Sequence, residues 1–145
     1  MATWVIEDIL ARSSRPGFHS QNVLLEEVDA WLKEIREMRI KSIICLLTNE
    51  QLSYYAAAIP EGLLEHYRRQ GFETKHFPIT DPHDDPIHGE EELIANSEPI
   101  YQVFLELPKP VLVHCNAGLW RTGHTVEYIR KRLSQSRFPY AEHIS

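Results

Sequence analysis

Apolar positions change their period several times along the chain, and each change marks an element. Trp4 to Ala11 (WVIEDILA) reads as two short strands around Glu7-Asp8, and Arg12 to Gly17 as a loop closed by Pro16-Gly17. From Val23 to Met38 the apolar residues Leu24, Val28, Trp31, Leu32, Ile35 and Met38 recur at three- and four-residue spacing. That predicts one buried face of a helix, with Asn22 as its N-cap. Ile43 to Leu47 is a continuous, β-branched run and predicts a buried strand. A second helix is expected from Pro60 to Gln70, stopped at Gly71. Phe72 to Phe77 alternates and predicts another strand.

Pro78 to Gly89 carries three prolines and three aspartates and reads as a loop. A third helix is expected from Glu90 to Leu107, kinked or split at Pro99. Pro110 to His114 predicts a buried strand, and a last helix should run from Thr122 to Leu133. Strands that alternate with helices imply an α/β fold, a mostly parallel central sheet flanked by helices.

Composition narrows the classes. The 145 residues suit a single domain over the whole chain, and 43% hydrophobic with 25% charged residues is ordinary for a globular protein. No run is long enough to span a bilayer, and the N-terminus carries no basic region followed by an apolar stretch. Two cysteines, Cys45 and Cys115, make no disulfide framework and no metal cluster, so a reduced, cytoplasmic protein without metal or cofactor is expected. A net charge of −6 argues against nucleic acid or an anionic membrane as partner.

The chemistry concentrates in Val111 to Gly123 (VLVHCNAGLWRTG). A buried strand ends at a cysteine, a short loop follows, and a helix begins. Unpaired N–H groups and the dipole at a helix N-terminus favour an anion there. Gly118 lets the loop curl, and Arg121 supplies a planar fork for two phosphate oxygens. Asn116, Ala117, Gly118, Leu119 and Trp120 form the rest of the cradle. The same field favours the thiolate of Cys115, a nucleophile facing the bound phosphate. Thr122 is positioned to donate to the sulfur, and His114 to orient the loop rather than act as a base.

The run His114-Cys115-x-x-Gly118-x-x-Arg121-Thr122-Gly123 resembles the signature of the protein tyrosine and dual-specificity phosphatase superfamily, in particular its small archaeal, bacterial and atypical dual-specificity members. Trp4-Val5-Ile6 through Arg15-Pro16-Gly17 is similar to their N-terminal hairpin and loop. The resemblance implies metal-free phosphomonoester hydrolysis through a phosphocysteine intermediate, with phosphate, vanadate or sulfate bound in the loop. It also implies a general acid on a loop a few tens of residues before the cysteine. Pro78-Ile79-Thr80-Asp81 matches that Pro-x-x-Asp pattern, which assigns the role to Asp81, with Asp84 and Asp85 as rivals. Many relatives continue into further helices past the last one recognised here, where this chain stops at Ser145.

No segment resembles the long phosphotyrosine-recognition loop of the larger tyrosine-specific enzymes, so phosphotyrosine and phosphoserine or phosphothreonine in proteins are the expected substrates of a monomeric enzyme. Loop residues 116–120 hold no lysine, which disfavours phosphoinositides, and no basic track suits an RNA 5′-phosphate. A phosphate-binding module without turnover is the alternative from another class. Cys45 reads as core, and His83 and His88 as solvated loop residues. Trp120 either packs over the domain or walls the pocket. Glu90 to Glu92 and Arg130 to Arg132 suit the two ends of their helices.

Overall fold

A computed structural model describes residues 1–136. Five strands, β1 (Thr3–Ile6), β2 (Leu10–Ser13), β3 (Ser42–Cys45), β4 (Glu73–His76) and β5 (Val111–His114), form one sheet in the order β1-β2-β5-β3-β4. Only the β1–β2 hairpin is antiparallel; β2, β5, β3 and β4 run parallel. Helices α1 (Leu25–Glu37), α2 (Asn49–Leu52), α3 (Leu63–Arg69), α4 (Pro86–Glu106) and α5 (Trp120–Gln135) flank it. This is the α/β architecture of a dual-specificity phosphatase.

Alternation along the central strands divides the core in two. Ile44, Leu46, Val111 and Val113 face α4 and α5 through Leu93, Ile100, Phe104, Val126 and Ile129. Their neighbours Ile43, Cys45, Leu47 and Leu112 face α1 and α3 through Val28, Trp31, Leu32, Ile35, Leu63 and Tyr67. A strand buried on both faces must be apolar at every position, hence the unbroken runs in β3 and β5. Register then fixes the site. Ser13, His114 and Cys45 lie side by side, and Cys45 pairs with His76, so four strands end at one level. In parallel sheets the crevice beyond these carboxyl ends is where ligands bind.

Several boundaries differ from the sequence expectation. The N-cap of α1 is Leu24, not Asn22, and its N–H is taken by the Glu27 carboxylate at 2.9 Å. Gly62, at φ 91°, delays α3 to Leu63. Pro86 occupies the first turn of α4 and the Asp85 carboxylate accepts from the His88 N–H, so the helix starts four residues before Glu90. It also runs unbroken through Pro99. Pro99 and Ala95, the residue whose carbonyl loses its donor, both face solvent, where water replaces the missing bond. β2 extends to Ser13, and α5 begins at Trp120, two residues before Thr122.

α2 and the following 3-10 turn (Ser53–Tyr55) were not foreseen. Their signal is Thr48-Asn-Glu-Gln51, a capping box: Thr48 Oγ1 accepts from the Gln51 N–H at 3.1 Å, and Gln51 Oε1 accepts from the Thr48 N–H at 3.2 Å. Arg132 is more than a solvated helix end. It forks onto the Glu98 carboxylate at 2.9 and 3.0 Å and lies over the Tyr101 ring.

Candidate active site

The loop between β5 and α5 floors a cavity of about 290 Å³ lined by Asp81, His83, Cys115, Asn116, Ala117, Leu119, Trp120 and Arg121. Leu119 heads α5 without a side-chain cap, so the first-turn N–H groups have no competing acceptor. Cys115 is 2% exposed at the end of β5. All the loop residues expected from the sequence therefore converge except Gly118, which lies at φ 76° behind the floor. A Cβ on Gly118 would sit 2.6 Å from the Ser13 carbonyl carbon and oxygen and 2.7 Å from the Ser14 nitrogen. Only glycine allows the loop to press this closely on the end of β2.

Two arginines from that strand end hold the loop from outside. Arg15 donates its N–H to the Asn116 carbonyl at 2.9 Å and its Nε–H to Asn116 Oδ1 at 2.7 Å. Arg12 Nη2 donates to the carbonyls of Gly118 at 2.6 Å and Leu119 at 3.3 Å. Drawing these carbonyls outward leaves the pocket side to N–H groups. Arg15 is itself buried against Tyr55 and the Gly17 and Ser20 carbonyls. Sequence reading put both arginines in an ordinary turn; the spacing of two arginines beside Pro16-Gly17 was the signal available.

Arg121 is 1% exposed and its guanidinium is nearly spoken for. Nη1 donates to the Leu46 carbonyl at 3.2 Å, the Ile79 carbonyl at 3.0 Å and Gln51 Oε1 at 2.9 Å. Nη2 donates to Asp81 Oδ2 at 3.0 Å. By count, Nε–H and the second Nη2 hydrogen remain for an anion, which still makes a two-pronged fork. Gln51, from the unforeseen α2, thus belongs to the site as the residue that orients Arg121.

Among the three rival aspartates only Asp81 lines the cavity. Asp85 instead caps α4 and pairs with His88 at 2.6 Å, which holds its carboxyl below the usual range and raises the imidazole. Asp81 is braced on both sides. Its own Oδ1 accepts from the His83 N–H at 3.0 Å. Next to it, Thr80 is held bidentately by Glu92, N–H to Oε1 at 2.7 Å and hydroxyl to Oε2 at 2.9 Å. Glu92 is therefore no mere helix-end charge. The loop also rests on α4 where Gly89 meets Pro82, a contact too close for any Cβ.

His114 and Thr122 lie beneath the loop. The His114 Nδ1–H donates to the Cys115 carbonyl at 3.2 Å, so Nε2 is the acceptor, receiving the Tyr67 hydroxyl at 3.0 Å. Trp31 packs edge-on against the same imidazole and donates its indole N–H to Ser13 Oγ and the Ser14 carbonyl, both at 3.1 Å. Burial, with Arg121 and Arg15 nearby, pushes the His114 pKa down to about 4, so the ring is neutral at pH 7. Thr122 corrects the sequence expectation. Its Oγ1 is buried without a hydrogen-bond partner, so no bond to the Cys115 sulfur is formed. With α5 starting at Trp120, Thr122 is already the third helical residue, and its side chain follows the helix face. Trp120 walls the cavity with its ring 65% exposed, the second of its two expected roles. Among the described residues no group of His, Cys, Asp and Glu side chains is placed to hold a metal ion.

Two outcomes follow from these contacts. An unfolded histidine takes a proton near pH 6.5 whereas folded His114 resists it to about 4, so the unfolded chain binds more protons in that window. Stability should rise with pH across it and fall by about 2 kcal/mol from pH 7 to pH 5 through this residue. Urea denaturation at the two pH values should show that loss in the wild type, and a clearly smaller one in His114→Asn. Separately, Glu92→Ala frees Thr80 and the residue beside it. The loss of both bonds should lower stability by about 1–2 kcal/mol, read as a lower urea midpoint with the m-value unchanged.

No curated protein matches the chain, but the family model described as cyclin-dependent kinase inhibitor 3 matches residues 5–141. That span takes in β2, the Asp81 loop and the whole of the cysteine loop, and the chain accordingly belongs to the cyclin-dependent kinase inhibitor 3 family, a dual-specificity-phosphatase-like family.

Proposed function

We propose that the protein hydrolyses phosphomonoesters through a phosphocysteine intermediate at Cys115, acting on phosphotyrosine and on phosphoserine or phosphothreonine in proteins. One observation carries the reading: the sulfur sits at the floor of a cavity formed by an uncapped helix N-terminus, Arg121 and Asp81, the last two in direct contact at 3.0 Å. Phosphate oxygens take the loop N–H groups and the free edge of Arg121. The Cys115 thiolate attacks phosphorus in line and the P–O bond breaks. Asp81 gives its proton to the leaving oxygen, then accepts one from the water that cleaves the P–S bond and returns the thiolate.

The supporting network gives its residues roles by position. Gln51 holds Arg121, Arg12 and Arg15 hold the loop, and neutral His114 fixes the Cys115 carbonyl. The alternative, a phosphate-binding module without turnover, draws on one feature, the ion pair that engages Asp81 with Arg121. Hydrolysis of an aryl phosphate separates the two. Cys115→Ser should abolish turnover while still binding vanadate or phosphate, and residual hydrolysis by that variant would sink the phosphocysteine mechanism. Asp81→Asn should lower kcat by about 100-fold or more on an alkyl phosphate, and less on a substrate whose leaving group needs no proton. The same Asp84→Asn change should leave both rates within about twofold, because an exposed carboxylate outside the cavity has no proton to deliver there.

A further inference from the structure

A second cleft, about 210 Å³, lies on the other side of Trp120, lined by Pro82, Pro86, Glu90 and Leu93 as well as the indole. Trp120 walls both this cleft and the phosphate cavity, which makes the two neighbours across one indole. We propose that this cleft is a specificity subsite for a lysine or arginine side chain next to the phosphorylated residue of a protein substrate, which rests on the phosphatase reading above.

The argument is one of shape and charge together. Four of the five walls are apolar or aromatic, and the fifth, Glu90, is exposed with no ion pair among the described residues. Asp84 and Glu91 beside it are likewise exposed and unpaired there, whereas every other acid of this stretch is engaged: Asp81 with Arg121, Asp85 with His88, Glu92 with Thr80. His88 is engaged by Asp85, so the unanswered charges on the face around the cleft are carboxylates. A plain aliphatic occupant would leave those carboxylates unanswered, and an acidic one would be repelled. A lysine or arginine satisfies both features. Its methylene stem covers the prolines and Leu93, its head reaches Glu90, and a guanidinium can lie over the Trp120 ring.

The test is a set of otherwise identical phosphotyrosine peptides with Arg, Leu, Ala or Glu on either side of the phosphorylated residue. It compares the wild type with Glu90→Lys, using a small aryl phosphate as reference and binding to the Cys115→Ser variant by fluorescence anisotropy. The wild type should favour the Arg peptide over Ala by about tenfold in kcat/KM and in affinity, with Glu poorest. In Glu90→Lys the order of Arg and Glu should invert, with aryl phosphate turnover unchanged. A Leu peptide equal to or better than Arg, or an Arg preference that survives Glu90→Lys, would overturn the proposal. An inert aryl phosphate would overturn the phosphatase reading instead, and peptide binding to Cys115→Ser would still decide the subsite.

Discussion

A guanidinium cannot be buried without its donors being answered, and the burial of Arg121 organises this molecule. The carbonyls that answer it come from the end of β3 and from the loop after β4; the side chains come from α2 and the Asp81 loop. Three stretches of chain are thus brought to one point by one side chain. Removing any one acceptor would leave a buried charge partly unpaired, which costs more than the lost bond itself. The same requirement explains why Gln51, on a helix of only four residues, is buried and held at both ends by its capping box.

Around that centre the protein separates a rigid floor from a mixed rim. The floor is overdetermined: the Gly118 approach to Ser13, Arg12 and Arg15 at the end of β2, and the Trp31, Tyr67 and His114 cluster below all fix the loop from Cys115 to Arg121. His114 shows how burial serves position rather than proton transfer. Its pKa of about 4 and its two committed nitrogens make it a neutral strut between Tyr67 and the Cys115 carbonyl. The rim, by contrast, exposes Leu119 and Trp120 to solvent. Large apolar side chains left exposed beside a pocket are those a partner's surface can cover.

How much of this was legible in the sequence depends on the range of the interaction. β3 and β5 were visible because burial on both faces makes every position apolar, and the cysteine loop was visible because its glycine and arginine sit at fixed local spacing. Asp81 was preferred to Asp84 and Asp85 by motif alone, and the fold adds that it is the one of the three that lines the cavity. Gln51, Arg12 and Arg15 act across 70 or more residues, and no local pattern connects a glutamine after β3 to an arginine in α5. Even α4 illustrates the limit: Pro99 argued for a break, and only its place on the solvent face made it harmless.

The common level at which β2, β5, β3 and β4 end has one more implication. The cavity has no sequence-local precursor, because Arg12 and the Gly118 carbonyl it holds stand near opposite ends of the described chain and meet only when β2 pairs with β5. Occupancy of the loop therefore reports on the whole sheet rather than on one segment. An anion held there strengthens every strand pairing at once, and a fragment lacking either edge of the ladder would carry the signature residues without the site.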